Sequence, residues 1–183
     1  MGKDAALAEL RKLDRPWYFV VTTTTRPIRA GETDGIDYIF LDEPTFLGMK
    51  DRNEFVECAQ VYGRWYGVPR SQVTSGLDAG KDVSLKIDVQ GAATVRKMAS
   101  DALFIFLVPG SLDELRERLS QRMTESTPEM ELRLNTASEE LKQAGLFNHQ
   151  VVNRKDNLEQ AVADIDATIA AEKRRPGRAP VRL

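Results

Sequence analysis

Histidine and cysteine are almost missing from this chain of 183 residues, which has one of each, His149 and Cys58. A lone cysteine excludes an intrachain disulfide framework and a Cys-rich zinc site, and fits a reducing compartment, the cytoplasm. A lone histidine excludes multi-histidine metal centres and argues against a His-dependent triad. Long apolar runs are lacking too, since none approaches the roughly 20 residues that span a bilayer. Met1-Gly2-Lys3-Asp4 has no apolar stretch of the signal-peptide kind. Neither sign of charge prevails: 26 Lys plus Arg face 28 Asp plus Glu, a net charge of -2. That balance argues against a general nucleic-acid or membrane-surface binder. What is present, 42% apolar and 30% charged residues, suits a soluble enzyme-sized core of one large domain or two small ones.

Ala5 to Leu13 reads as a short amphipathic helix stopped at Asp14-Arg15-Pro16. Trp17 to Thr25, β-branched and aromatic, reads as one strand, followed by a loop from Arg26 to Gly35. Short strands at Asp37–Leu41 and Glu54–Val61, with a turn-rich stretch from Gly63 to Pro69, suggest a small mixed sheet inserted into something larger. A strand over Val83–Val89, a helix from Gln90-Gly91 to about Met98, and a buried strand over Ala102–Val108 come next. Ser111 caps a helix, Pro128 opens another that ends near Gly145, and His149–Asn153 is a strand before a last helix, Leu158–Ala171. Strands alternating with helices predict an α/β fold with a mostly parallel sheet. His149 is read as an ordinary strand residue, and residues 173–183 as a flexible tail.

Several residues carry chemistry. Arg26 and Arg29 sit in a loop after a Thr-rich strand end, which suits a bidentate grip on a phosphate; the alternative is a solvated basic loop. Tyr38, Tyr62, Trp65 and Tyr66 are placed to stack on a base or bond a phosphate, or simply to pack, the reading preferred for Trp65. Glu57 follows Phe55-Val56 in a strand, where an ionised carboxylate wants a partner. Asp88 ends an apolar strand, where open α/β sheets bind ligands, or else it caps the next helix. Arg116, Arg118, Arg122 and Arg133 form a solvated face, or a lid that closes on a polyphosphate.

In this order the segments resemble the guanylate kinases over nearly the whole chain. The resemblance rests on Thr24-Thr25-Arg26-Pro27, Arg29, Gly31-Glu32, Asp34-Gly35-Ile36-Asp37-Tyr38, Glu54-Phe55-Val56-Glu57, Tyr66-Gly67, Ile87-Asp88-Val89-Gln90-Gly91 and Val151-Val152-Asn153. It implies a P-loop nucleoside monophosphate kinase-like core with its first strand missing, a GMP-binding insertion and a helical lid. The core is expected over 1–25, 78–115 and 139–183, the GMP region over 26–77 and the lid over 116–138. It further implies that Arg26, Arg29, Tyr38 and Tyr66 hold the GMP phosphate and that Glu57 reads guanine with Thr22 and Asp88. Gly2, Lys3, Arg122 and Asn153 fall on the ATP side, and Arg122 and Arg133 approach the ATP phosphates. Lys3, Arg26, Asp88, Arg122 and Arg133 form the implied catalytic set. The implied partners are GMP and ATP, with Mg²⁺ arriving as MgATP and no fixed metal site; a homo-oligomer is left open.

The departures from that pattern are specific. The family opens on a strand and a Gly-rich phosphate loop, whereas here Met1-Gly2-Lys3 stands inside the end of that motif. The expectation is impaired turnover, or in the alternative a GMP-binding or phosphopeptide-binding module; an internally read gene start would produce the same truncation. Asp4 and Ala5 stand where a hydroxyl would help hold Mg²⁺. Val68 replaces a usual Ser or Thr, Met123 a lid glycine, and Lys86 a usual acid. Lys86 is expected to serve the ATP phosphates, or else to pair with Asp88 or fill a gap.

Overall fold

The structure is a computed structural model that describes residues 2–120, 127–181 and 183, with backbone alone at 119–120 and 127–133. The chain divides into two compact units, one of Met1–Leu13 with Leu103–Ala179 and the other of Asp14–Ala102 with Pro180–Leu183.

In the second unit, β1 (Trp17–Phe19) runs parallel to β6 (Asp82–Ser84), pairing Trp17 with Asp82 and Phe19 with Ser84. The single strand expected from Trp17 to Thr25 is in fact two. After Phe19 the chain leaves that pair, and β2 (Thr23–Thr24) joins a different sheet of order β3-β2-β5-β4. At the crossing, the Val21 N–H donates to Gln72 Oε1 at 2.9 Å and Gln72 Nε2 donates to the Val21 carbonyl at 3.1 Å. A side-chain amide thus supplies the backbone bonds that a strand partner would have made. The expected strand over Val83–Val89 is correspondingly short, ending at Ser84.

The four-stranded sheet is mixed. β3 (Ile39–Phe40) is parallel to β2, while β5 (Arg64–Pro69) is antiparallel to both β2 and β4 (Phe55–Val61). The stretch read as turn-rich from Gly63 to Pro69 is therefore mostly strand. Tyr62 and Gly63, at φ 50° and 71°, make the whole turn, because a two-residue loop with both φ values positive matches strand twist. Two helices in this unit, α2 (Glu43–Asp51) and α3 (Arg70–Asp78), were not anticipated. The cue for α2 was Asp42 before Glu43-Pro44: Asp42 caps it, accepting from the Thr45 N–H at 2.8 Å. It delivers Phe46, fully buried, which stacks on Phe55 at 4.5 Å and on Trp65 at 5.9 Å. Trp65 is accordingly a packing residue. Helix α4 (Val89–Met98) starts where expected, with Asp88 as its cap.

In the first unit, β7 (Ile105–Pro109) pairs in parallel with β8 (His149–Asn153), from Ile105 with His149 to Pro109 with Asn153. Ser111 Oγ accepts from the Glu114 N–H at 3.0 Å and starts α5 (Leu112–Ser120). Helix α6 (Thr127–Lys142) and a 3-10 turn (Ala144–Leu146) precede β8. Helices α1 (Lys3–Leu10) and α7 (Leu158–Lys173) pack together, burying Ala6 and Leu10 on one and Ala161, Val162 and Ile165 on the other. Beyond α7, Arg178 and Arg175 reach back to Glu172 at 2.7 and 3.5 Å, and His149 meets the same carboxylate at 3.4 Å. The parallel pairs β1–β6 and β7–β8 with their helices, and the small mixed sheet, make an α/β fold of the expected class.

Candidate functional site

Glu57 stands where the β4–β5 ladder breaks step. Phe55 pairs with Pro69, but Glu57 pairs with Val68, so one extra residue bulges between them. Bulges re-aim side chains, and this one sends the Glu57 carboxyl into the second unit with 7% of its surface exposed. Its pKa is pushed up to about 7, first by burial and second by the nearby negative charge of Asp88. Among the described residues no hydrogen bond reaches this carboxyl. A buried carboxyl without donors is costly in its charged form.

Asp88 serves structure and site together. Its Oδ1 accepts from the Gly91 N–H at 2.7 Å and caps α4. The helix start then sits so near Glu57 that a Cβ at Gly91 would lie 2.7 Å from Glu57 Oε2 and 2.8 Å from its Cδ. Gly91 is thus the residue that makes room for the carboxyl. Thr22, 4% exposed, points its hydroxyl to the Lys86 carbonyl at 3.5 Å, and Val68 is fully buried.

The arginine loop carries a second cluster. Arg26 donates from one nitrogen to both oxygens of Glu32, at 2.8 and 3.0 Å, and from the other to the Pro27 carbonyl at 2.6 Å. The Arg29 backbone N–H donates to Glu32 Oε2 at 2.8 Å, while the Arg29 residue is exposed. Burial pulls the Arg26 pKa down, but the bond and charge of Glu32, with Tyr66 adding, outweigh it and the net shift is upward. Burial likewise pushes Glu32 up, yet Arg26 and the Arg29 N–H hold it below the ordinary carboxylate value. Sequence reasoning gave Glu32 no role; an acid three residues past Arg29 in a doubly basic loop was the available signal. The Arg26 guanidinium carbon lies 5.3 Å from the Tyr38 ring centroid, and Tyr66 meets Tyr38 edge-on at 6.1 Å. Arg26, Tyr38 and Tyr66 therefore converge, as do Glu57 and Asp88. The arrangement presents two kinds of recognition: an acidic pair in which Glu57 has no donor among the described residues, and a cationic, hydroxyl-bearing cluster of the kind that holds a phosphate.

In the first unit, Gly2 caps α1 in the left-handed conformation, with φ 79° and ψ 25°. A Cβ there would lie 2.5 Å from Asn153 Nδ2 and 3.5 Å from an Arg118 nitrogen. Asn153, 3% exposed at the carboxyl end of β8, accepts from Arg118 at 2.9 Å through its backbone carbonyl. Gly2, Asn153 and Arg118 thus meet beside the start of α1, whose first residue is Lys3. Open N–H groups at such a start favour anions. Arg122 lies outside the described residues, and Arg133 is described only as backbone on α6. An open hollow of about 520 Å³ against β8 and α7 is lined by none of the expected site residues.

A family model described as guanylate kinase matches residues 1–172 of the chain. The guanylate kinase of Thermus thermophilus is 44% identical over 178 residues, covering 97% of this chain and 80% of that protein. That of Carboxydothermus hydrogenoformans is 37% identical over 182 residues, covering 100% and 88%. Among solved structures, guanylate kinase from Anaplasma phagocytophilum matches with a TM-score of 0.81 at 30% identity, covering 95% of this chain and 83% of that one.

Proposed function

The chain belongs to the guanylate kinase family, and from that membership we propose that it transfers the γ-phosphoryl group of ATP to GMP, giving ADP and GDP. ATP enters as MgATP, so the metal belongs to the substrate. A GMP phosphate oxygen attacks the γ-phosphorus, the bond from that phosphorus to the β,γ-bridging oxygen breaks, and ADP leaves with the electron pair. The attacking oxygen is already anionic, so the protein's task is positioning and charge stabilisation.

One observation carries this reading: the buried Glu57 carboxyl beside Asp88 accepts no hydrogen bond from the described protein. Guanine brings the two donors it lacks, the N1–H and the exocyclic amine, and adenine brings neither at those positions. Arg26, Arg29, Tyr38 and Tyr66 take the GMP phosphate, with Glu32 keeping Arg26 aligned. Thr22 and Asp88 support the guanine end. Gly2, Lys3 and the start of α1 take the ATP phosphates, Asn153 lies toward adenine, and Arg122 and Arg133 offset charge on the transferred group. A reducing, cytoplasmic setting suits the lone cysteine.

The test joins calorimetry with an ADP-release assay. Wild type binds GMP in preference to AMP and releases ADP only when both ATP and GMP are present. Arg29→Ala weakens GMP and AMP alike, whereas Glu57→Ala weakens mainly GMP by about 10²-fold and collapses the preference. Equal binding of the two monophosphates by wild type rejects the guanine reading, and GMP binding without ADP release rejects the transfer.

A further inference from the structure

Lys86 is a basic side chain at the acceptor cluster that the roles above leave unused. It lies in the segment between β6 and α4, two residues before Asp88. Two residues advance the chain by at most about 7 Å, so Lys86 stands one short step from the guanine-facing pair. Its Nζ is 3.8 Å from the centroid of the Tyr38 ring. The Arg26 guanidinium carbon is 5.3 Å from the same centroid, and Tyr66 meets that ring edge-on at 6.1 Å.

Two cations therefore share one aromatic ring. A cation–π contact with a partly exposed tyrosine is weak, about 0.5–1 kcal/mol, and like charges held near one ring repel. Arg26 is neutralised locally by the bidentate contact with Glu32. The Lys86 charge faces the aromatic and hydroxyl cluster, and a second positive charge at such a cluster is what a phosphate dianion rewards.

We propose that Lys86 is a ligand of the acceptor's phosphate, its ammonium closing on the monophosphate from the Tyr38 side while Arg26 and Arg29 hold it from the loop. The proposal rests on the GMP reading above and adds a specificity residue to it. It reverses the expectation from sequence that Lys86 serves the ATP phosphates, because the ammonium is stationed on Tyr38. A nucleoside without phosphate gains nothing from Lys86, so the residue raises the premium on GMP over guanosine.

Calorimetry of GMP and of guanosine on wild type, Lys86→Met and Lys86→Arg tests this, with melting curves as a check of folding. The expected result is a loss of about tenfold for GMP in Lys86→Met, unchanged guanosine binding, substantial rescue by Lys86→Arg, and a shallower salt dependence of GMP binding. A GMP loss below about threefold, or an equal loss for guanosine, overturns the proposal and leaves Lys86 as packing for Tyr38. If Lys86→Met does not fold, Lys86→Gln is judged by the same two criteria. Wild type that binds GMP no better than guanosine overturns the phosphate site itself, an outcome distinct from failure of Lys86 alone.

Discussion

On the proposed reading, Glu57 faces opposite demands before and after GMP arrives. In the free protein, burial and Asp88 raise its pKa to about 7, yet a guanine reader must be ionised to accept two hydrogen bonds. On that reading GMP binding should expel a proton near neutrality, and apparent affinity should fall as pH drops through that value. Between pH 8 and pH 6 the ionised fraction falls about tenfold. Wild type should lose about tenfold more GMP affinity over this range than Glu57→Gln, whose residual slope reports only the phosphate of GMP. Calorimetry at the two pH values checks it, and parallel slopes would sink the assignment. The stability sign follows from the same shift. Folded Glu57 keeps its proton up to about pH 7, and unfolded Glu57 releases it near the ordinary 4.5. Its contribution is full below 4.5 and is lost as pH rises through 7. Glu57→Gln should match wild type at pH 4 and exceed it at pH 8 by up to about 3 kcal/mol.

Helix α4 shows how an element aims a site. Its cap, Asp88, fixes where the first turn begins, and its third residue, Gly91, clears the space that Glu57 occupies. Helix propensity alone favours alanine over glycine by about 1 kcal/mol. Gly91→Ala should therefore leave the melting temperature near that of wild type while pushing the Glu57 carboxyl off its seat. GMP affinity should drop at least about tenfold and the preference over AMP should shrink. Normal GMP binding in a folded Gly91→Ala protein would mean that the carboxyl relocates without consequence. The bulge before Glu57 works from the other side, since an unbroken ladder would turn that side chain to the opposite face.

For the whole molecule, the residues proposed for ATP, Gly2, Lys3 and Asn153, belong to one unit, and those proposed for GMP, Arg26, Tyr38, Glu57 and Asp88, to the other. Perturbing the first should therefore read out on ATP alone. Gly2→Ala forces a Cβ onto φ 79° and to 2.5 Å from Asn153 Nδ2, a strain of about 1 kcal/mol before any clash. The KM for ATP should rise several-fold, roughly fivefold for each kcal/mol of lost binding, while the calorimetric Kd for GMP stays unchanged. Parallel losses for both substrates would show that Gly2 acts through general stability instead.

The local signals in the chain were strong wherever one residue's chemistry decides the outcome. The Ser111 cap, the strand over His149–Asn153, the start of α4 at Asp88-Val89-Gln90-Gly91 and the unease of a carboxylate after Phe55-Val56 were all legible, because caps, β-branched pairs and buried charge act over a few residues. Tertiary contacts decided the rest. The break between β1 and β2 depends on Gln72, 51 residues away. The strand β5 exists because β2 and β4 lie on both sides of it. The locking of Arg26 by Glu32, the nearness of Gly91 to Glu57, and the seating of Lys86 on Tyr38 join residues that no sequence period relates. Sequence determined which groups are acidic, basic or apolar and which short segments coil or extend. Only the fold decided which of those groups share a desolvated space, and a desolvated charge draws its chemistry from its neighbours in space.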